Sequence, residues 1–204
     1  LNRLNEVIRS VDENMDKFEF INVGTELYRF IWDDFCSWYI ELSKLHLTGD
    51  DEVAKKSALN TLVYVLNTIV RLLHPIMPFV TEEIYQAIPH KEESIVISKW
   101  PEVNPEYDND TINDQFAYLI DIIKGVREIR HTYVIKNSIE VDYTITTKQD
   151  DLEALLKEIA PYVSKLVNAT CVGYNVPTSK NNATEVIKGG NTLNIDLGQY
   201  IDME

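Results

Sequence analysis

A break between two helices is the stretch of this sequence that decides the fold. It reads Leu73-His74-Pro75-Ile76-Met77-Pro78-Phe79-Val80-Thr81-Glu82-Glu83-Ile84-Tyr85. Pro75 and Pro78 lack a backbone N–H, so they predict the end of one helix and a delay before the next. Thr81, with two glutamates behind it, predicts the N-cap of a short helix that Pro89 closes. The stretch therefore predicts a tight connection between two packed helices.

Three further helices are predicted on the N-terminal side of this break. Apolar residues recur at i, i+3 and i+4 over residues 1–15 and keep the same period over residues 20–42. A helix over residues 51–73 is apolar around most of its circumference, which is typical of a helix buried against several others. Residues 1–89 are therefore predicted to form a helical bundle.

The pattern changes after residue 89. Three prolines and four carboxylates in or beside residues 90–111 predict a connector between domains, with one short strand at Ile95–Ile97. A helix is predicted over 112–133, and strict alternation of apolar and polar residues over 139–145 predicts a half-buried strand.

The remaining residues complete a second predicted domain. A helix capped by Asp150 or Asp151 is expected to end at Ile159, ahead of Pro161. Short strands are predicted at 169–174, 184–188 and 192–197, the last two joined by a Gly189-Gly190-Asn191 turn. The predicted fold class is mainly α, with the helical bundle followed by a small α+β domain over 112–204.

Composition limits the possible functions. Among 204 residues, 19 Lys and Arg face 33 Asp and Glu, which gives a net charge of −14 and excludes a generic polyanion binder. The longest apolar stretch, 61–73, is shorter than the roughly 20 residues of a membrane span. Two isolated cysteines predict a reduced, cytoplasmic chain. The absence of an initiator Met predicts a piece cut from a longer protein.

An active site is not expected within this chain. The nucleotide-binding, nucleophile-elbow and zinc-protease motifs are missing from the sequence. The histidines His46, His74, His90 and His131 have no partner at a metal-ligand spacing. We therefore predict no catalytic residue, no metal site and no cofactor of this chain's own.

Two clusters allow either a structural or a binding interpretation. Aromatic residues crowd the second helix at Trp32, Phe35, Trp38 and Tyr39, where Trp32 and Tyr39 are seven residues apart and share a face. They fit a bundle core, the more common role of a helical aromatic stripe, and one or more of them could also form a surface on which unpaired bases stack. A basic cluster follows at Lys124, Arg127, Arg130, His131 and Lys136, with Glu128 its only acid. It fits either the helix dipole or phosphate contact.

The break at residues 73–85 resembles a signature of the class I aminoacyl-tRNA synthetases for valine, isoleucine and leucine. Residues 30–44 are similar to the valine–tRNA ligases in particular, as are 1–5 ahead of 18–20. That segment is Phe30-Ile31-Trp32-Asp33-Asp34-Phe35-Cys36-Ser37-Trp38-Tyr39-Ile40-Glu41-Leu42-Ser43-Lys44. Residues 95–101 and the Val-Arg-x-x-Arg run at 126–130 also resemble this family. The likeness spans nearly the whole chain.

The resemblance implies a C-terminal, tRNA-binding fragment of a larger, ATP-using ligase. The catalytic and editing domains and the first anticodon-domain helix would lie upstream, and a coiled coil would follow residue 204. The partner would be the anticodon stem-loop of tRNA, with no membrane involved. In the family, the residue at Ile40 lies against an anticodon base. The predicted tRNA-binding residues are Trp38, Tyr39, Ile40, Lys44, Arg127, Arg130 and Lys136.

Two departures from the family pattern and two alternatives stand beside this hypothesis. Ser37 replaces the usual Asp, and residues 133–135 replace a loop that contains proline in many relatives. The second departure weakens the family role of the basic cluster. The alternatives are the same region of an isoleucyl or leucyl enzyme, and a helical interaction scaffold that binds no RNA.

Overall fold

Two units make up the fold, Leu1–Asn109 and Asp110–Glu204. The computed structural model describes residues 1–149 and 152–200. The first unit is helical, as the sequence predicts. Its elements are α1 (Asn2–Asp16), α2 (Phe20–Arg29), a π-helical segment (Phe30–Tyr39), α3 (Ile40–Leu47), α4 (Glu52–Leu73), α5 (Pro78–Ala87) and 3₁₀ turns at Ile95–Ile97 and Pro105–Tyr107.

The core of the first unit forms around one face of α1. Four apolar side chains at helical spacing on α1 are at most 2% exposed: Leu4, Val7, Ile8 and Val11. They belong to one cluster with buried residues of α2, the π-helical segment and α4. Helix α4 packs against several other helices, as predicted. Val53 and Leu59 on the same helix are nevertheless exposed. Helix α4 therefore has more apolar surface than the neighbouring helices cover.

The segment between α2 and α3 departs from the predicted helical period. Its backbone bonds run from residue i to i+5, as the Ile40 N–H to Phe35 carbonyl bond shows. The Ser37 hydroxyl likewise donates to the Trp32 carbonyl at 2.6 Å. The wider turn changes the phase of the side chains. Phe35 is buried, whereas Trp32 is 55% exposed.

The break at residues 73–85 is confirmed in outline and corrected in detail. Helix α4 ends at Leu73 as predicted, but α5 begins at Pro78 rather than being delayed by it. Proline suits the first helical position because its missing N–H has no partner there in any helix. Thr81 therefore lies inside α5, where its hydroxyl contacts the Met77 carbonyl and His74 Nδ1, at 2.8 and 2.7 Å.

The predicted strand at Ile95–Ile97 is wrong, since these residues form a 3₁₀ turn. Side chains, rather than a neighbouring strand, satisfy the turn's backbone. Glu82 Oε2 accepts hydrogen bonds from the Ser94 hydroxyl and the Ile95 N–H, at 2.8 and 3.0 Å. Ile95 packs in a small buried cluster with Val70 and Tyr85. The turn is thereby fixed to the end of the bundle.

Residues 90–109, which are most of the predicted connector 90–111, belong to the first unit. Asn5 on α1 is buried, and its side-chain N–H groups donate to the Asn104 carbonyl and Asp108 Oδ1, at 2.6 and 2.9 Å. Its carbonyl oxygen accepts from the Asn104 N–H at 3.2 Å. The Trp100 indole donates to Asp12 at 2.7 Å. The chain therefore divides at residues 109 and 110.

The second unit is a small α+β domain, as predicted. Its elements are α6 (Asp110–Thr132), β1 (Val141–Thr146), α7 (Leu152–Val167), β2 (Ala169–Tyr174), β3 (Asn182–Ile187) and β4 (Asn191–Asp196). The strand order is β2-β1-β4-β3, with β1 and β2 parallel and the other pairs antiparallel. The parallel pair requires a crossover, which α7 provides. Val141, Tyr143 and Ile145 are buried, which confirms the alternation from residue 141, whereas Ile139 precedes β1 and is exposed.

Two details of this unit differ from or fall outside the expectations. Helix α7 continues through Pro161 instead of ending at Ile159. Val163 and Val167 are buried beyond the proline, so apolar packing offsets the lost backbone hydrogen bond. The predicted caps, Asp150 and Asp151, lie outside the described residues. The glycine turn between β3 and β4 is confirmed, with both glycines at positive φ.

Replacing Asn5 by Ala should destabilise the first unit, because the Asn104 backbone loses both partners in a buried place. We expect the free energy of unfolding to fall by about 2 kcal/mol. Urea unfolding followed by circular dichroism measures it. Asn22→Ala is the matched control at an exposed position. An equal loss in both variants would contradict the docking of residues 90–109 through Asn5.

Glu82 should contribute a pH-dependent part of this docking. Hydrogen bonds from Gln86 and Ser94, and from the Ile95 N–H, lower the pKa of Glu82. A carboxyl whose pKa is lowered by folding stabilises the fold above its unfolded pKa, and this contribution is lost as the pH falls through the folded pKa. Glu82→Gln should therefore flatten the acid limb of the stability profile. The exposed neighbour variant Glu83→Gln should leave that limb unchanged.

Candidate nucleic-acid interface

The predicted tRNA-binding residues fall on two separate surfaces. Trp38, Tyr39, Ile40 and Lys44 lie in the first unit, where the π-helical segment passes into α3, and we call them the α3 surface. Arg127 and Lys136 lie in the second unit. We call the exposed residues Lys124, Arg127, His131 and Lys136 the α6 surface.

Tyr39 and Ile40 connect the α3 surface to the core. Both are partly buried against the main hydrophobic cluster of the first unit. The Tyr39 ring stacks on Phe35, with ring centroids 6.2 Å apart, and burial raises the pKa of its phenol, which hydrogen-bonds Thr61. Trp38 is also half-buried. The α3 surface is therefore a rigid patch whose aromatic and aliphatic groups are half open to solvent.

Lys44 adds a cation to this patch. It follows Ile40 by four residues, so both lie on one face of α3. Its ammonium pairs with Glu41 at 2.6 Å, and both side chains are about half exposed. An exposed pair of this kind contributes little stability, in the range of about 0–1 kcal/mol. The ammonium can therefore exchange Glu41 for a phosphate at small cost.

The structure shows a second aromatic pair that the sequence analysis missed. Tyr28 and Trp32 are 64% and 55% exposed, and their ring centroids are 6.3 Å apart. The i, i+4 spacing of Tyr28 and Trp32 in the sequence could have predicted this pair. The prediction that Trp32 and Tyr39 share a face is wrong, because the π-helical segment that contains them changes the phase of the side chains. Trp32 thus lies on an open aromatic face and Tyr39 against the core.

Arg130 has an internal role in place of the predicted phosphate contact. It is only 3% exposed. Its terminal nitrogens donate to four carbonyls at 2.8–3.0 Å: Lys136, Ile139, Val167 and Asn168. Burial without a carboxylate partner lowers the pKa of Arg130. The guanidinium is therefore not available to RNA. Its spacing of four from the buried Val126 was the signal for an inward position.

The α6 surface is less basic than its sequence suggests. Lys124, Arg127 and His131 line an open groove of about 610 Å³ between α6 and β3. Three acidic residues line the same groove: Asp121, Glu128 and Glu185. Gly125 of α6 also lines this groove, where a Cβ would lie at van der Waals distance, 3.4 Å, from Glu185 Cβ. Two of these acids, Asp121 and Glu128, lie on α6 itself, and Glu185 comes from β3, so together they offset the local cations.

The described part of the chain offers little other chemistry. Over residues 1–149 and 152–200, His, Cys, Asp and Glu form no group of three that could hold a metal ion. Within the same residues, every helix is too short or too polar to cross a membrane. Cys36 and Cys171 are free thiols.

Comparison with known proteins agrees with this geometry. A family described as the anticodon-binding domain of tRNA ligase matches residues 1–145. The chain is 43% identical over its whole length to a valine–tRNA ligase of Anoxybacillus flavithermus, of which it covers 23%. It is 42% identical, over 95% of its length, to those of Geobacillus stearothermophilus and Bacillus subtilis, covering 22% of each. The chain thus spans about a quarter of these relatives, and it belongs to the family of anticodon-binding domains of tRNA ligases.

Proposed function

We propose that this chain is the anticodon-binding region of a valine–tRNA ligase, a cytoplasmic enzyme that attaches valine to its tRNA using ATP. The observation that carries the proposal is the likeness to valine–tRNA ligases over 95–100% of the chain. Activation of valine, ATP binding and editing would belong to upstream domains of the same polypeptide. The role of this region is to hold the anticodon stem-loop.

The α3 surface supplies the contacts that the proposal needs. Bases of a single-stranded loop are recognised by stacking and by packing on apolar side chains. Trp38 and Ile40 offer such groups, half exposed and anchored through the core contacts of Ile40. Lys44 lies one turn away, where it can contact a phosphate of the same loop. Phosphate contacts set the register and base contacts set the specificity.

The valine enzyme is favoured over the two alternatives. The Trp-Asp-Asp-Phe-Cys run at residues 32–36 fits the valine enzymes rather than the isoleucine or leucine enzymes. Family membership disfavours a scaffold without RNA. The acidity of the chain remains consistent with tRNA binding if the contacts are few and local, since most of the charge lies away from the α3 surface.

Ile40→Asp should weaken binding of a valine tRNA anticodon stem-loop by about tenfold, because it replaces an apolar base contact by a charge that repels phosphate. Fluorescence anisotropy with a labelled stem-loop measures it. Ile40→Asn tests the same apolar contact of Ile40 without the added charge.

Lys44→Gln should reduce the salt dependence of binding by about one ionic contact.

Ile21→Asp is the matched control for Ile40→Asp. Ile21 is 86% exposed on α2, so the same substitution adds the same charge away from the α3 surface. Circular dichroism checks that each variant is folded. Equal weakening by Ile21→Asp and Ile40→Asp would show a general charge effect and would contradict the assignment of Ile40 to the interface.

A further inference from the structure

The outer face of α2 carries a stripe of large apolar side chains that is left exposed. Ile21, Tyr28 and Trp32 follow one another at spacings of seven and four residues and are 86%, 64% and 55% exposed. These spacings place them on one side of the helical stretch. We call Ile21, Gly24, Tyr28 and Trp32 the α2 face. Single exposed apolar residues are ordinary, whereas a contiguous group marks an interaction surface.

A glycine lies in the middle of the α2 face. Gly24 occupies an interior position of α2, where glycine is less favourable than alanine. Its φ is not positive, so no left-handed turn requires it. A Cβ at Gly24 would meet no atom of the described chain within 4 Å, so packing inside this chain does not require it either. The missing side chain leaves a flat place between Ile21 and Tyr28 where another helix can approach closely.

The charges beside the α2 face disfavour a polyanion as its occupant. Arg29 and Asp33 are exposed and directly follow Tyr28 and Trp32 along the chain, so the local charges cancel. Attraction of phosphate needs an excess of cations. An apolar centre with polar and charged groups around it is instead typical of a contact between protein surfaces.

The N-terminus of the chain lies beside one end of this face. Arg3, in the first turn of α1, pairs with Glu26 and Asp34 at 2.8 and 3.0 Å. These carboxylates come from the turns at the Trp32 end of the α2 face. Residues that precede α1 in a longer polypeptide therefore enter next to the face, and about 11 helical residues, roughly 16 Å in length, would span it.

The relatives contain such preceding residues. The chain covers 22–23% of the valine–tRNA ligases to which it is similar and corresponds to a C-terminal part of them. We propose that the α2 face is the docking surface for a helix of the polypeptide segment directly upstream of residue 1, with Gly24 at the point of closest approach. This inference rests on the proposed function, which makes the chain part of a longer ligase. It assigns Trp32 a contact within the protein rather than with tRNA.

Hydroxyl-radical footprinting read by mass spectrometry tests the proposal on the 204-residue chain and on the full-length ligase that contains it. In the full-length ligase the oxidation rates of Tyr28 and Trp32 should be about fivefold lower, because the upstream helix buries both rings. Trp100, which is 38% exposed and hydrogen-bonds Asp12 of α1, is the internal reference and should keep its rate. Equal rates for Tyr28 and Trp32 in the two proteins, or equal protection of Trp100, would overturn the proposal.

The same measurement distinguishes other occupants of the α2 face. Protection in the full-length ligase that disappears on dilution would show that a second copy covers the face. Protection that appears only with added valine tRNA would show that RNA covers it. Either result would overturn the proposal, whereas protection that is independent of both supports it.

Gly24→Leu tests the close approach of the upstream helix. In the 204-residue chain it should raise the melting temperature by a few degrees, because leucine favours the helix and its side chain meets open space. In the full-length ligase it should instead raise the oxidation rates of Tyr28 and Trp32 towards those of the 204-residue chain, because the added side chain holds the two helices apart.

Asn22→Leu is the matched control for Gly24→Leu. Asn22 is exposed on α2 but lies off the α2 face, so the same side chain is added without meeting the docked helix. This variant should leave the protection of Tyr28 and Trp32 unchanged. Protection that survives Gly24→Leu, or that both variants remove equally, would contradict the role of Gly24.

Aminoacylation by the full-length ligase separates this inference from the proposed function. A ligase that charges its tRNA with valine but leaves the α2 face exposed would refute the docking alone. Failure to charge the tRNA with valine would instead overturn the proposed function.

Discussion

The burial of one face of α1 is the interaction on which the first unit depends. That face consists of Leu4, Val7, Ile8 and Val11. These side chains pack against buried residues of α2, the π-helical segment and α4. The polar edge of the same helix holds residues 90–109 through Asn5. Loss of the packing on α1 would therefore loosen both the helices packed against it and residues 90–109. The α3 surface lies where the π-helical segment passes into α3. Its Tyr39 and Ile40 pack against this core, which keeps the surface rigid.

Hydrophobic periodicity, together with the positions of proline and glycine, predicted most of the fold. Apolar stripes located the helices, alternation located β1, and the glycine turn located the β3–β4 hairpin. The errors share a physical cause, because they depend on side-chain hydrogen bonds and on packing that a local pattern does not contain. Glu82 and Ser94 turn an apolar run into a 3₁₀ turn, and buried valines carry α7 through Pro161.

The candidate site was predicted less well than the fold. The α3 residues came from a family likeness rather than from their chemistry, and the π-helical segment changed which aromatic rings are exposed. Counting charges along α6 gave a basic cluster, but Glu185 arrives from β3 and Arg130 points inward. Local charge counts fail wherever tertiary structure brings in opposite charges or buries a cation.

An acidic chain that binds RNA must do so through few contacts. The net charge of −14 disfavours a broad electrostatic attraction, and the α6 groove has no excess of cations. Under the proposed function, specificity would come from loop bases on the half-exposed apolar groups of the α3 surface, with single lysines contacting phosphates. Such an interface would select RNA by the shape and bases of its loop, whereas a generic polyanion site would bind RNA through charge alone.

The salt dependence of binding to a valine tRNA anticodon stem-loop tests this claim most directly. Anisotropy titrations over a range of KCl concentrations should give a shallow log–log slope, about −1 to −2, which corresponds to one or two phosphate contacts. A stem-loop with a scrambled loop should bind at least about tenfold more weakly. A slope steeper than about −5, with equal affinity for both loops, would contradict the account.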